Sequence, residues 1–263
     1  MQRARRLAST AVVAVLAVTG LSACRQSPDV AAYIAGGTIT EKRIQGIYDQ
    51  VRDELTAARE QAQQQAGAKG PSAEPLPPLT MPIKQQDVLN TLLSVDILRK
   101  SAQAHGVQPA ASPTVEQVAQ ARNYSPQWEY TQLYAETYRL RTSLQSAVAP
   151  ATLTDDDLRD VHQRLVKGGA ADPGTSFDQF KSTLSAENKT LLQTYVAMRT
   201  ELEKIVADDK VKLNPRYGAQ QVTLLSAQSA DGKDVPLVVL TLSGGDSSQG
   251  AYVTDVSAVT TLA

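Results

Sequence analysis

Apolar residues first settle into a helical period at Ile44, Ile47, Tyr48, Val51 and Leu55. That i, i+3, i+4, i+7, i+11 spacing turns one face of a helix towards a core. Thr40 stands where an N-cap hydroxyl is needed, and Ile39 with Ile44 has the spacing of a hydrophobic staple. Just upstream, Tyr33-Ile34-Ala35-Gly36-Gly37-Thr38-Ile39 places apolar residues on either side of Gly-Gly and predicts a tight two-residue hairpin. The helical period fades through residues 61–70, where Pro71, Pro75, Pro77 and Pro78 replace it. Proline removes backbone donors, so 67–82 is expected to be an extended connector.

The densest apolar segment runs from Ile83 to His105. Val88, Leu89, Leu92, Leu93, Val95, Ile97 and Leu98 cover much of a helix circumference, the mark of a helix surrounded by others. Gly106 and Pro109 stop it. A short helix is expected over 114–122, and Ser125-Pro126 predicts the cap and first turn of the next, ending at Pro150. Leu153-Thr154-Asp155-Asp156-Asp157-Leu158 carries a capping box and a staple, and Gly168-Gly169 closes that helix. Ser176 with Gln179 repeats the box spacing, and the apolar stripe then continues to Val206 with a break near Ser185. Val211 to Leu213 predicts a short strand before Asn214-Pro215. Beyond 218 the chain is rich in Ser, Thr and Gly around one apolar run, 235–242, which either adds a strand or leaves a loose tail. The expected fold is mainly α, with little strand. An alternating α/β ligand-binding architecture has no support in this pattern.

Composition narrows the chemistry. The 263 residues carry a net charge of −1, which removes the basic field that nucleic acid requires. One cysteine excludes an intrachain disulfide and a cysteine-cluster metal site. No phosphate loop, GxSxG or HExxH pattern occurs. Asp155, Asp156 and Asp157 occupy the first turn of a helix, where the macrodipole favours carboxylates, and successive side chains diverge by about 100°. His162 is expected at the surface and His105 at a helix C-terminus. No cofactor and no metal are expected.

The N-terminal segment carries an address. Arg3, Arg5 and Arg6 precede an apolar run from Leu7 to Leu21, the layout of an export signal and short for a membrane span. It ends in Leu21-Ser22-Ala23-Cys24, which resembles the lipobox of bacterial lipoproteins. That resemblance implies cleavage before Cys24, a diacylglyceryl thioether on its sulfur, palmitate or a similar third acyl chain on its amine, and a cell-membrane location facing outward. Two or more acyl chains anchor a protein stably. Loss of three arginines and no acid takes the 240-residue mature chain to −4. The alanine-rich composition suits a high-GC bacterium.

Aromatic residues concentrate at Tyr124, Trp128, Tyr130, Tyr134 and Tyr138. Tyr130, Tyr134 and Tyr138 form a stripe four residues apart. It reads either as core packing with hydroxyls reaching the edge, or as a shallow groove for apolar polypeptide. Trp128 projects to the other side, as a loop contact or an exposed ring.

Four segments in order, Val30 to Ile44, Val88 to Val107, Leu153 to Leu158 and Lys210 to Gly218, resemble the opening strand-turn-helix, long second helix, following capped helix and closing strand of SurA-type chaperones. The resemblance implies a helical bundle like the SurA N-terminal domain, with a small β element pairing the N-terminal hairpin and a C-terminal strand. It also implies a holding function for unfolded or exported polypeptides, with Trp128, Tyr130, Tyr134 and Tyr138 as the candidate binding residues. The prolyl isomerase unit often inserted in that family has no room between Leu158 and Lys210, so catalysis is not expected. Two other readings stay open: a structural or adaptor lipoprotein with one dedicated partner, and a divergent peptidyl-prolyl isomerase. The expected organisation is a signal peptide at 1–23, a lipidated tether at 24–32, a helical domain at 33–218 and a C-terminal segment at 219–263.

Overall fold

The computed structural model describes residues 29–67 and 78–242. The expected signal peptide, Cys24 and most of the tether lie outside the described residues, as do the centre of the proline-rich connector and residues 243–263. Among the described residues the chain is mainly helical, with seven α-helices and two small antiparallel sheets.

Strands β1 (Val30–Ile34) and β2 (Gly37–Thr40) form the opening hairpin. Ile34 pairs with Gly37, so the turn residues are Ala35 and Gly36, one position earlier than the Gly-Gly pattern predicts. Gly36 takes φ +84, a conformation that costs glycine little and other residues more. Helix α1 (Glu41–Gly67) follows at once, and Thr40 Oγ1 accepts the Arg43 N–H at 3.2 Å. This helix outlasts its apolar stripe; beyond Leu55 it is built largely from Ala, Gln, Glu and Arg, which favour helix without burial.

Helix α2 (Gln85–Ala104) is the central element, touching α1, the fourth and seventh helices and the second sheet. Its Val88, Leu89, Leu93, Ile97 and Leu98 are buried, as the dense apolar pattern requires. Gly106 closes it with φ +65. Helices α3 (Val115–Arg122) and α4 (Glu129–Ala147) come next. The start of α4 departs from expectation: Ser125 does not cap it. Its hydroxyl accepts the Gln127 N–H (3.2 Å) and its carbonyl the Trp128 N–H (3.3 Å), forming a separate turn that redirects the chain.

Helix α5 (Asp155–Lys167) carries the capping box anticipated from Thr154 and Asp157. Gly168 ends it directly beneath a later strand, where a Cβ would overlap the Val235 side chain. Helices α6 (Phe177–Thr183) and α7 (Ala186–Asp208) are separated at Ser185, whose hydroxyl accepts the Asn188 N–H at 3.1 Å. Strand β3 (Lys212–Leu213) then returns to the free edge of β1, giving the order β2-β1-β3. Asn214 fastens this closure, its backbone N–H donating to Ala31 O at 2.8 Å and its side-chain Nδ2 to Val30 O at 2.9 Å.

Of the two outcomes left open for the apolar run 235–242, the added strand is the one observed. Strands β4 (Gln220–Gln228) and β5 (Asp234–Leu242), nine residues each, form a hairpin set into the helical body. Val222, Leu224, Val235, Leu237, Val238, Leu240 and Leu242 belong to the core. At about 1.5–3 kcal/mol for each fully buried large apolar side chain, the hairpin is part of what stabilises the domain. The helical body and the hairpin are in contact, β5 with α5 and α7 and β4 with α2.

Candidate functional site

Three elements enclose a cleft of about 260 Å³. One wall is the face of α2 carrying Asp87, Asn90, Thr91 and Ser94, another is the face of α4 carrying Tyr130, Tyr134, Tyr138 and Arg141, and the hairpin closes the third side. Helical periodicity explains both helix walls, since each set recurs at three- and four-residue steps. Thr91 hydrogen-bonds Tyr130 and Arg99 pairs with Glu136 at 2.6 Å, so α2 and α4 run in the same direction along the cleft.

The aromatic residues form one ladder. Trp128 lies 5.6 Å from Tyr124, Tyr124 lies 5.9 Å from Tyr130, Tyr130 stacks on Tyr134 at 5.8 Å, and Tyr134 meets Tyr138 edge-on at 5.2 Å. Only part of it faces the cleft. Trp128, expected to be a loop contact or exposed, is 4% exposed, lies outside the cleft and donates its indole N–H to Glu54 Oε2 at 2.9 Å. Its burial follows from α1 reaching across from 74 positions away in sequence. Tyr130 is 5% exposed and serves as a wall, whereas Tyr134 and Tyr138 are half-buried with their hydroxyls 3.3 Å apart.

The cleft is not the purely apolar groove that the tyrosine stripe suggests, because its α2 wall is polar. Arg122 Nη2 donates to Tyr138 Oη at 2.9 Å and pairs with Asp234 at 2.6 Å. Arg141 lies over the Tyr138 ring at 4.4 Å, with Nη1 donating to the carbonyls of Thr223 (2.9 Å) and Leu224 (3.2 Å). Burial pushes the Tyr138 phenol up, but hydrogen bonds from Tyr134 and Arg122 and the two guanidinium charges outweigh it and hold the phenol below the usual tyrosine range. Tyr130 and Tyr134 go the other way. Burial raises both, and beside Tyr138 the Tyr134 phenol rises further. Beyond the Arg122–Asp234 pair a second cleft of about 360 Å³ opens between α3 and the hairpin turn.

No protein-family model, curated protein or solved structure matches the chain.

The remaining candidates find structural partners. Asp155 pairs with Lys181 at 2.6 Å and Asp157 with Arg199 at 2.6 Å, so the acidic run diverges as the helix geometry requires. His162, expected at the surface, is half-buried, with Nε2 2.9 Å from Thr175 O and its ring 5.2 Å from that of Phe180. His105 Nε2 lies 2.8 Å from Glu201. Among the described residues, no group of three or more His, Cys, Asp or Glu is placed to hold a metal ion, and no helix is long and apolar enough to cross a membrane. Sequence reasoning missed Arg122, Arg141 and Asn90. Arg141 was open to it, continuing the tyrosine stripe three residues on; the hairpin's contribution was not.

Proposed function

We propose that this protein is a membrane-anchored, extracytoplasmic, chaperone-like lipoprotein that binds unfolded or exported polypeptides without catalysing a reaction. The observation that carries the reading is the cleft between α2, α4 and the β4–β5 hairpin. Tyr134 and Tyr138 offer large amphipathic rings at low entropic cost, and the neighbouring amide, hydroxyl and guanidinium groups suit peptide backbone. The SurA-like order of segments supports the same reading, since β3 returns to β1 as the resemblance implies. Attachment through lipid on Cys24 rests on the lipobox pattern.

Binding of this kind is weak and local. Among the described residues the large hydrophobic side chain left exposed is Leu79, at 40%, so no broad apolar surface supplements the cleft. That scarcity also favours a second reading, an adaptor lipoprotein that uses the same scaffold for one dedicated partner. The full chain should delay the aggregation of several unrelated unfolded proteins at near-equimolar ratio, measured by light scattering. No effect on any of them, with one native protein binding stoichiometrically, would select the adaptor. Turnover of a proline-containing peptide above the uncatalysed rate would overturn the non-catalytic reading.

A further inference from the structure

A count of donors and acceptors in the cleft leaves a surplus of donors at one end. Arg141 Nη1 is spent on the carbonyls of Thr223 and Leu224, and Nε reaches Thr137 O at 3.3 Å. Among the described residues Nη2 has no acceptor, and no carboxylate lies within ion-pairing distance of this guanidinium. Tyr134 and Tyr138 bring two phenolic protons but share one hydrogen bond, so one proton is left over. Thr137 and Ser94 donate their hydroxyl protons to the carbonyls of Tyr134 (2.7 Å) and Asn90 (2.6 Å), and neither hydroxyl oxygen accepts a hydrogen bond from Arg141 or the two phenols.

The acids of the cleft are otherwise engaged or distant. Asp234 is neutralised by Arg122. Asp87 accepts the Lys84 N–H at 2.8 Å in the first turn of α2, at the Tyr130 end. The eleven-residue rise from Tyr130 to Arg141 spans about 16 Å along a helix axis. That exceeds the screening length of about 8–10 Å at physiological salt. A half-buried guanidinium with one nitrogen open, a spare phenolic proton in the same cleft and stacked rings along the wall is a recognition geometry for a carboxylate. At the Tyr130 end, Asn90 on the facing helix adds a carboxamide oxygen buried without a donor.

We propose that the Arg141–Tyr138 end of this cleft binds a carboxylate and, resting on the polypeptide-binding reading above, that the carboxylate is the free C-terminus of a client chain. Its volume of about 260 Å³ lies below the roughly 300–1,000 Å³ of clefts that swallow a drug-sized ligand, a size that suits a chain end. The same chemistry is available from a small free acid, and the test separates the two sources.

The full chain is titrated, with polarisation as the readout, against an N-terminally labelled tetra-alanine peptide bearing a free C-terminus and against its C-terminal amide. The acid is expected to bind about tenfold or more tightly than the amide, and Tyr138→Phe and Arg141→Lys are expected to shrink that ratio. The ligand-side comparison stands even if an Arg141 variant folds poorly. Equal binding of acid and amide overturns the carboxylate site while leaving polypeptide binding intact. If neither peptide binds but millimolar N-acetylalanine raises Tm in the wild type and not in Tyr138→Phe, the carboxylate site holds and its source is a small acid. If N-acetylalanine is also without effect, the inference is overturned.

Discussion

Asp157 shows how much one side chain joins. Its carboxylate accepts the Thr154 N–H at 3.0 Å, completes the cap of α5 and pairs with Arg199 of α7, so a local cap also docks two helices. Burial opposes the charge, yet the bonds from Thr154 and Arg199 outweigh it and hold the carboxyl below its ordinary range. A depressed carboxyl stabilises the fold fully above its unfolded value and loses that contribution as pH falls through its folded value. Asp157→Ala is therefore expected to cost about 1–2 kcal/mol near neutral pH, the range of a lost cap. The gap from wild type should hold down to about pH 5 and close below it, because at low pH both proteins lack the charge. Urea unfolding across that range checks both the size and the direction. The residues of the cleft follow the same logic of shared partners: Tyr138 is shaped less by its own chemistry than by Arg122, Arg141 and Tyr134 around it.

At the scale of elements, the end of α5 and strand β5 approach closely at Gly168. A methyl on Gly168 would occupy the space of the Val235 side chain, so Gly168→Ala should cost about 1–3 kcal/mol through overpacking. In a Val235→Ala background the same substitution should cost clearly less. A double-mutant cycle read by urea unfolding tests this, and equal costs in both backgrounds would refute the contact. What the sequence disclosed among the elements divides along the same line between local and distant. Thr154 and Ser176 each cap their helix as their spacing suggests, because a capping box is closed within four residues, and Thr114 caps α3 in the same way. Strand β4 escaped notice because its register shifts between Thr223 and Ser226, which breaks a plain alternation. A signal was present in Asp231-Gly232, where Gly232 turns the hairpin with φ +78. The candidate site was legible to the same extent. The tyrosine stripe is a property of α4 alone, whereas the polarity of the cleft comes from α2 and the hairpin, and no spacing within α4 encodes them.

At the scale of the whole molecule, the described body holds its apolar residues inward and offers no helix that could sit across a bilayer. On the proposed reading, its hold on the membrane then rests on Cys24. Cys24→Ala is expected to abolish incorporation of labelled palmitate and to move the protein from the membrane pellet to the soluble fraction. Tm of the body should be unchanged. Persistent label in the pellet would remove the anchor from the proposal. The closure of the first sheet has a mechanical consequence for any such tether. Tension arriving from the residues before Asp29 enters the body at β1, which is the middle strand of its sheet, flanked by β2 on one edge and β3 on the other. Ala31 and Ala32 are fully buried there, and Asn214 grips the carbonyls of Val30 and Ala31. To peel the first residues away, a pull must break pairing on both sides at once, and one of those sides belongs to the far end of the helical body. The load is thus shared between the beginning of the fold and a strand nearly two hundred residues later.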